Sequence, residues 1–369
     1  ICVNSFVGIE NPTELHEALY RRYQKMQSPT HLTIVSSAGF GVWDDEHNAE
    51  GYIREGAVDK LICGHFGAMM STKKLVLEDR FEAYNLPLGC ISHAIRAQAG
   101  GLPGALSKVG LDIFVDPRRE GPGINRISID DSLVKHVEVD GDEFLYYKLP
   151  KITIAMIKGT AADRKGNITF DDMFMSGDAL SICQAVKANR GKVIVQVDRL
   201  VATPSRPRNA IIPGCLVDAI VVAEPQERNE AYTALTGSFE IPYKEWHTWN
   251  EKINDLSQKQ RKNNIPANII GKRAAQELRV DDIVNIGIGI PETVARFARK
   301  SGMLDMITLT VESGGIGGFP VSGEAFGAMI GAASVYDMAN QFDLYDNGGL
   351  DVCFMGALEV DKYGNINAH

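Results

Sequence analysis

The sequence lacks a CxxC pair, although it contains six cysteines in 369 residues. The six positions are Cys2, Cys63, Cys90, Cys183, Cys215 and Cys353. Most of these cysteines stand beside apolar residues or glycine, without a regular spacing. The pattern argues against a zinc site or a disulfide framework and favours buried free thiols in a reducing compartment. We therefore expect a cytoplasmic protein.

The chain also lacks positive charge in excess and any long hydrophobic run. Its formal net charge is −9 and its pI is about 5.5, which argues against nucleic acid or an anionic membrane as the main partner. No apolar run approaches the roughly 20 residues of a membrane-spanning helix. A composition of 44% hydrophobic and 23% charged residues is typical of a globular protein with a substantial core, and the length favours about two domains.

Several catalytic motifs are absent: the sequence has no GxSxG elbow, no P-loop and no HExxH. The segment VNIGIGIPETV, at 284–294, approaches a dinucleotide fingerprint, but Glu292 stands at the third glycine position. Nicotinamide or flavin binding is therefore not expected. Gly287 and Gly289 precede a helix predicted to begin near Pro291, whose free N–H groups could bind a phosphate or carboxylate. A tight strand-to-helix turn without a ligand is the alternative.

An internal repeat divides the chain into two units. The matched segments are VNSFVGIENPTEL at Val3 with VNIGIGIPETV at Val284, VSSAGFG at Val35 with VESGGIG at Val311, and DRKGNITF at Asp163 with DKYGNINA at Asp361. Three landmarks in the same order predict two homologous α/β units in tandem. Ser36 takes the place of Glu312 in this alignment, so only the second unit carries the carboxylate.

Each unit alternates β-rich runs with helical patterns, which predicts mainly parallel sheets flanked by helices. In the first unit the predicted strands are 31–37, 192–201 and 217–223, and the predicted helices are 12–26 and 178–191. The polar segment 226–264 interrupts the alternation and is interpreted as an interdomain linker, with Trp246 and Trp249 as possible anchors. The expected domains are therefore 1–225 and 265–369.

Glu312 is the most unusual candidate residue. It follows a predicted strand, Leu309–Val311, and precedes a run of small residues that would leave the carboxylate open. The turn at Gly348 and Gly349 could offer approachable N–H groups, or it could be a plain turn into the strand predicted at 350–356.

Other polar residues give weaker signals. His65 and His93 could act as bases, but neither has a triad-like context, and structural histidines are favoured. The segment around Asp116 and Arg118 predicts an ordered loop.

Taken together, these segments resemble the family I CoA-transferases. The resemblance covers essentially the whole chain and is closest to single-chain acetate or propionate (short-chain acyl-CoA:acetate) CoA-transferases, with succinyl-CoA:3-ketoacid CoA-transferase related. It rests on GHFG at Gly64, NLPLGCISHAIRAQAGGLPG at Asn85, VGLDIFVDPR at Val109, VNIGIGIPE at Val284, TVESGGIGG at Thr310 and QFDLYDNGGLDVCFMGALEVDKYGNIN at Gln341.

The resemblance implies two similar open α/β domains with the active site between them. Glu312 would be the nucleophile of a ping-pong reaction through a glutamyl-CoA thioester, transferring CoA from a short-chain acyl-CoA to an acid such as acetate. Coenzyme A would be a substrate, and no metal or permanently bound cofactor is called for. A homo-oligomer is expected.

The other site residues are backbone positions. We expect oxyanion donors from Val7, Gly8, Gly348 and Gly349, each able to contribute roughly 3 kcal/mol to catalysis. By resemblance, the CoA side would be lined by Gly287, Gly289 and Ile290.

One position departs from the family pattern. The family has glutamine in a PQG segment, where its amide can reach the catalytic carboxylate, and this chain has Leu88 in PLG. Either the orienting contact comes from elsewhere, or turnover or acyl specificity is altered. Two alternatives on related folds are a sugar-phosphate isomerase, with Glu312 or another carboxylate as a proton-transfer base, and a non-catalytic sugar-phosphate sensor.

The two units differ in extent. Extrapolating one repeat onto the other predicts about 15–25 further residues before Ile1 and on the order of 100 or more after His369, so that the second domain is incomplete in this sequence.

Overall fold

The computed structural model describes residues 1–41, 50–67, 69–130, 132–203, 205–224, 265–321 and 323–367. The linker predicted at 226–264, with Trp246 and Trp249, lies outside the described residues. The predicted domain boundaries therefore stay predictions.

The first unit is a helix-flanked sheet. Its helices are α1 (Thr13–Met26), α2 (Gly51–Arg54), α3 (Met70–Leu77), α4 (Leu88–Ala99) and α5 (Ala179–Ala188). Its strands are β1 (Cys2–Val3), β2 (Leu32–Ser36), β3 (Val58–Cys63), β4 (Glu82–Asn85), β5 (Ala105–Ser107), β6 (Val134–Val139), β7 (Asp142–Tyr147), β8 (Ile154–Ala162), β9 (Ile168–Thr169), β10 (Lys192–Leu200), β11 (Ala210–Ile212) and β12 (Ala219–Val222). The helices and strands predicted in this unit from the alternating pattern are confirmed.

The strands β12, β10, β8, β1, β2, β3 and β4 lie side by side in that order, and every neighbouring pair is parallel. β9 pairs antiparallel with the end of β8, and β11 pairs with β9. β5, β7 and β6 form a separate antiparallel sheet. The strands β2, β3, β4 and β8 are mostly buried, as is usual in a parallel sheet flanked by helices.

The second unit repeats the arrangement on a smaller scale. Its helices are α6 (Ile265–Ala274), α7 (Glu292–Lys300) and α8 (Met338–Asp346). Its strands are β13 (Ile283–Ile286), β14 (Thr308–Thr310), β15 (Gly315–Ile316), β16 (Phe319–Pro320), β17 (Met329–Ile330), β18 (Ser334–Val335), β19 (Val352–Phe354), β20 (Glu359–Val360) and β21 (Ile366–Asn367). β13 lies between β14 and β19 and is parallel to both, while β15 and β18 add antiparallel strands beyond β14. The predicted α/β class with mainly parallel sheets is confirmed.

A shared hydrophobic cluster joins the two units. Its members from the first unit are Phe6, Val7, Ile9, Ala38, Phe174 and Met175, and they pack with Val311, Phe326, Met329 and other apolar residues of the second unit. Gly327 has no room for a side chain because the ring of Phe6 lies against it. The cluster places the segment that begins at Val311 directly at the junction of the units.

Helices α4 and α8 form a second contact between the units. A Cβ on Gly89 would lie 2.5 Å from the ring of Phe342, so the two helices approach closely here. His93 Nε2 lies 3.1 Å from the carbonyl oxygen of Ala339, and Arg96 donates to both carboxylate oxygens of Asp343 at 3.0 Å. His93 therefore has a structural setting between the two helices, as the sequence favoured.

The cysteine prediction is partly wrong. Cys2, Cys63, Cys90 and Cys183 are buried free thiols, but Cys215 and Cys353 are exposed, although also free. None of the helices in the described part of the chain is both long enough and apolar enough to cross a membrane.

A buried carboxylate lies at the start of α5. Asp178 is 3% exposed, and its Oδ2 atom accepts hydrogen bonds from the hydroxyls of Ser37 at 2.6 Å and Ser92 at 2.7 Å. Burial raises the pKa of Asp178 to about 6, against the stabilising effect of the two serine hydroxyls on the charged form. The folded state therefore binds this proton more tightly than the unfolded state does.

The Asp178→Asn variant is expected to change how stability depends on pH. Because the pKa of Asp178 is raised in the folded state, protonated Asp178 contributes to the free energy of unfolding. This contribution is complete below the unfolded-state pKa near 4 and is lost as pH rises through about 6. The free energy of unfolding of the variant, minus that of the wild type, should thus increase between about pH 4 and pH 7 by on the order of 2–3 kcal/mol. Urea unfolding of both proteins between about pH 4 and pH 7 measures this difference. A difference in the free energy of unfolding that does not change with pH would contradict the prediction.

Candidate active site

Glu312 stands two residues after β14, at the junction of the two units. Its side chain is partly exposed, but its Oε2 atom is buried and makes no hydrogen bond to the described residues. Burial raises the pKa of Glu312, while its own backbone N–H and the Asn285 side chain favour the charged form. A desolvated carboxylate oxygen without a partner is more reactive than one in water, because no hydrogen bond must be broken before it attacks.

The glycines after Glu312 do not leave the open space that the sequence suggested. A side chain on Gly314 would collide with the backbone of Tyr336, and one on Gly315 would lie 2.7 Å from the ring of Phe174. Gly314 has φ +120°, a conformation that side chains disfavour. The returning chain at 330–336 fills the space. The glycines serve close backbone packing, which fixes the position of Glu312.

Ser313 ties this turn to its surroundings. It is fully buried, and its hydroxyl donates to the carbonyl oxygen of Gly327. Gly327 in turn packs against Phe6 of the first unit. The loop that carries Glu312 is therefore held by contacts to both units.

A polar network approaches Glu312 from the neighbouring strand and from α8. Asn285 is buried at the end of β13, where it pairs with Thr310 of β14 and Cys353 of β19. Its Nδ2 atom donates to Tyr345 Oη at 3.3 Å, and the Cys353 thiol donates to its Oδ1 at 3.4 Å. Tyr345 Oη donates to Thr310 Oγ1 at 2.8 Å. Sequence reasoning missed Asn285, Tyr345 and Cys353 as members of the site.

Gly287, Gly289 and Ile290 form the turn between β13 and α7. The Gly287 N–H donates to the Phe354 carbonyl at 2.8 Å within the sheet, and the Gly289 N–H donates to the Glu292 carboxylate at 3.0 Å. A carboxylate of the chain itself therefore occupies part of the helix N-terminus. Ile290 is 43% exposed and is available for contact with a ligand. The CoA-binding role of these residues stays a prediction.

Val7 and Gly8 form a tight turn that faces the second unit. Phe6 and Ile9 exchange backbone hydrogen bonds of 3.1 Å and 3.0 Å across the turn, and Val7 has φ +54°. A β-branched residue in this left-handed region is uncommon and is held here by its burial in the shared cluster. Val7 belongs to the same hydrophobic cluster as Val311. The predicted oxyanion role of both residues stays a prediction.

Gly348 and Gly349 form the end of helix α8. Their N–H groups donate to the carbonyl oxygens of Tyr345 and Leu344, at 3.0 Å and 2.9 Å. Gly348 has φ +78°, as is usual for a glycine that ends a helix. In this conformation both donors are therefore satisfied within the helix end, so the turn would have to open before either N–H could serve an oxyanion.

Leu88 begins helix α4 and faces the second unit. Its side chain packs against the shared cluster, as does the ring of Phe342. Position 88 therefore lies at the junction of the two units, where Val311, the residue before Glu312, also lies. In this chain the position supplies only apolar surface.

Other acidic and basic candidates are explained structurally. Asp116 is fully buried and accepts a hydrogen bond from Arg118 Nη2 at 2.7 Å, and this arginine holds the pKa of Asp116 well below its usual range. The predicted ordered loop is thus an ion-paired turn. Within the described ranges, no group of three or more His, Cys, Asp or Glu side chains has an arrangement suited to a metal.

Comparison with known proteins identifies relatives of the whole described fold. The acetate CoA-transferase YdiF of Escherichia coli (strain K12) is 38% identical over 366 residues, covering 98% of this chain and 66% of that protein. The caffeate CoA-transferase of Acetobacterium woodii is 36% identical over 368 residues, covering 96% of this chain and 66% of that protein. This chain therefore spans about two thirds of the length of the curated relatives it matches.

Structural comparison gives the same relationship. A crystal structure of the acyl-CoA transferase YdiF from E. coli O157:H7, described as a thioester complex with CoA, matches with a TM-score of 0.85 and 34% identity. The match covers 100% of this chain and 68% of that chain. A profile of the coenzyme A transferase family matches residues 1–223 and 267–369. The resemblance inferred from the motifs is confirmed, and the chain belongs to the coenzyme A transferase family.

Proposed function

We propose that this protein transfers CoA from a short-chain acyl-CoA to a free carboxylic acid such as acetate, with Glu312 as the nucleophile. The observation that carries the proposal is the buried, unpartnered Oε2 atom of Glu312 at the junction of the two units. The names of the relatives support CoA transfer to carboxylic acids, since one is an acetate and one a caffeate CoA-transferase.

The chemistry proceeds in two matched halves. The Glu312 carboxylate attacks the thioester carbonyl, which forms a mixed anhydride and releases the CoA thiolate. The thiolate then attacks the glutamyl carbonyl, forming a glutamyl-CoA thioester and releasing the first acid as its carboxylate. The acceptor carboxylate reverses these steps, so the kinetics are ping-pong. The relative whose structure is described as a thioester complex with CoA supports a thioester intermediate here.

The fixed positions of Glu312 and of bound CoA contribute much of the rate enhancement. The turn after Glu312 is fixed by backbone packing, so the carboxylate does not have to be ordered during the reaction. CoA is long, so contacts far from its sulfur can stabilise the transition state at the carbonyl. We place the CoA side along Gly287, Gly289 and the exposed Ile290.

The cytoplasmic location and the homo-oligomeric state stay predictions.

An exchange assay tests the proposed function. The protein is incubated with each of a panel of acyl-CoAs and with labelled acetate, and labelled acetyl-CoA is measured over time. Transfer without net hydrolysis, with parallel double-reciprocal plots, is expected. Absence of transfer with every acyl-CoA, together with turnover of a sugar phosphate, would instead support the isomerase alternative.

The Leu88→Gln variant is expected to raise turnover. The amide would be introduced at the junction, where a hydrogen bond to a charged carboxylate contributes roughly 1.5–3 kcal/mol. Leu88→Met is the matched control, because methionine has nearly the same length and shape without an amide. Initial rates of acyl-CoA:acetate exchange are compared. If the glutamine variant is no faster than the methionine variant, position 88 has only a packing role.

A further inference from the structure

We propose that Tyr345 is a positioning residue for Glu312 and acts through Asn285. The inference rests on the proposed function, since it concerns the group that would attack the thioester. Neither residue belongs to the set expected from the sequence. The two residues are 60 positions apart, and their hydrogen bond connects α8 with β13.

The direction of each hydrogen bond in the network is determined by a backbone carbonyl. Thr310 is fully buried, and its hydroxyl proton is used on the carbonyl oxygen of Val284 at 3.1 Å. Thr310 Oγ1 can therefore only accept from Tyr345, which donates to it at 2.8 Å. Because the hydroxyl proton of Tyr345 is used in this hydrogen bond, Tyr345 Oη can only accept from Asn285.

This lone pair sets the orientation of the Asn285 amide. Only the NH₂ group of Asn285 can donate to Tyr345 Oη, and the distance is 3.3 Å. The opposite atom, Oδ1, accepts from the Cys353 thiol at 3.4 Å on the far side. An amide with one end held by a hydroxyl acceptor and the other by a thiol donor cannot turn over without losing both contacts.

The fixed orientation of the Asn285 amide affects the Glu312 carboxylate. Asn285 pairs in register with Thr310, two residues before Glu312, and its side chain favours the charged form of the Glu312 carboxylate. The NH₂ group has a second proton besides the one donated to Tyr345. Glu312 Oε2 is left without a partner. The network thus fixes the orientation of the amide beside the carboxylate, while the Glu312 Oε2 atom stays free to attack. It supplies one orienting amide from the second unit, and a glutamine at position 88 would add another from the first.

Gln341 does not replace this contact. It is fully buried one turn before Tyr345 on α8, and neither its amide nitrogen nor its amide oxygen makes a hydrogen bond of ordinary geometry to the described residues, although the amide is near enough to the Tyr345 hydroxyl to favour its charged form. In a variant that lacks the Tyr345 hydroxyl, the Asn285 amide keeps only the weak hydrogen bond from the Cys353 thiol, so it can reorient more easily.

The test is the Tyr345→Phe variant, which removes one oxygen and keeps the ring. The ring of Tyr345 packs edge-on against Phe342 with centroids 5.6 Å apart, and phenylalanine preserves this contact. We expect kcat of acyl-CoA:acetate exchange to fall about 10- to 100-fold, because a small misplacement of a reacting group has an effect of this size. KM for the acyl-CoA should change by less than about threefold, since the hydroxyl makes no contact that binding requires. Tyr363→Phe, at an exposed tyrosine on the β20–β21 hairpin, is the matched control and should equal the wild type.

A double variant separates positioning from a structural role. If Tyr345 acts through Asn285, Tyr345→Phe combined with Asn285→Ala should be within about threefold of Asn285→Ala alone, because the second change removes nothing further. Multiplicative losses, or a kcat of Tyr345→Phe within threefold of the wild type, would overturn the proposal.

A crystal structure of Tyr345→Phe gives a readout that does not depend on activity. We expect the Asn285 amide to leave its place beside Glu312 in the variant. An Asn285 amide that keeps its position overturns the proposal, even if the wild type transfers CoA. A wild type without transfer activity would contradict the proposed function, and the position of Asn285 would still decide whether Tyr345 orients it.

Discussion

Glu312→Gln is expected to lose CoA transfer by on the order of 10⁴-fold or more, as for removal of other enzymatic nucleophiles. The glutamine amide cannot form the mixed anhydride with an acyl group, so no covalent intermediate follows. Stability should be unchanged or slightly higher, because burial disfavours the charged carboxylate and the amide carries no charge. The measurement is the rate of acyl-CoA:acetate exchange per folded molecule, with folding checked by thermal unfolding.

Glu312→Asp separates charge from position. Aspartate keeps the carboxylate but moves it back by one methylene, and a misplacement of this size can slow a reaction about 10²-fold. Glu359→Gln, on the exposed hairpin strand β20, is the control and should retain full activity. A Glu312→Gln protein that is folded and transfers CoA at a rate near the wild type would remove this residue from the mechanism.

Gly314→Ala is expected to have the largest effect on stability. The residue has φ +120°, and its position leaves no room for a Cβ against the carbonyl oxygen of Tyr336. Backbone strain and overpacking each contribute about 1–3 kcal/mol, so the free energy of unfolding should fall by roughly 3 kcal/mol or more. The Tyr336 N–H also donates to the Gly314 carbonyl at 2.9 Å, and a shifted chain would weaken this bond.

The same substitution should lower activity, because the strained turn positions Glu312 two residues earlier. Gly356→Ala is the matched control: its Cβ would have no neighbour within 4 Å, and its backbone is not left-handed. Urea unfolding and exchange rates are measured on both variants. Equal stabilities of the two alanine variants would show that the loop adapts easily and does not fix Glu312.

Much of the fold could be predicted from local patterns. The helix predicted to begin near Pro291 begins at Glu292, and the strand predicted before Glu312 is β14. These elements depend on residues a few positions apart, whose periodicity is visible in the sequence. Glu312 itself stands out because a charge at the end of a buried strand requires a reason.

The remainder of the site depends on distant contacts. Asn285 meets Cys353 and Thr310 only because β13 lies between β19 and β14 in a particular register. Nothing in the sequence around Asn285 indicates that pairing, although a polar residue that ends a buried strand is a usable signal. Tyr345 lies inside the QFDLYDNGG segment, and its role depends on the face that α8 turns toward the sheet.

The glycine runs suggested features in the sequence that the structure does not have. In the sequence, a run of small residues after Glu312 suggests open space, and an exposed Gly348-Gly349 turn suggests free donors. In the structure, the first set is packed against 330–336 and the second satisfies the end of a helix. Glycine indicates that a Cβ is not tolerated or that φ is positive, but it does not reveal whether backbone or ligand occupies the space.

The most direct test of the central claim is to trap the covalent intermediate on Glu312. The protein is incubated with an acyl-CoA and no acceptor acid, reduced with borohydride, digested and examined by mass spectrometry. A glutamyl-CoA thioester predicts reduction of the side chain to an alcohol on the peptide containing Glu312, and no such change without acyl-CoA or in Glu312→Gln. A label confined to another residue, or active transfer with no modified peptide, would contradict the mechanism.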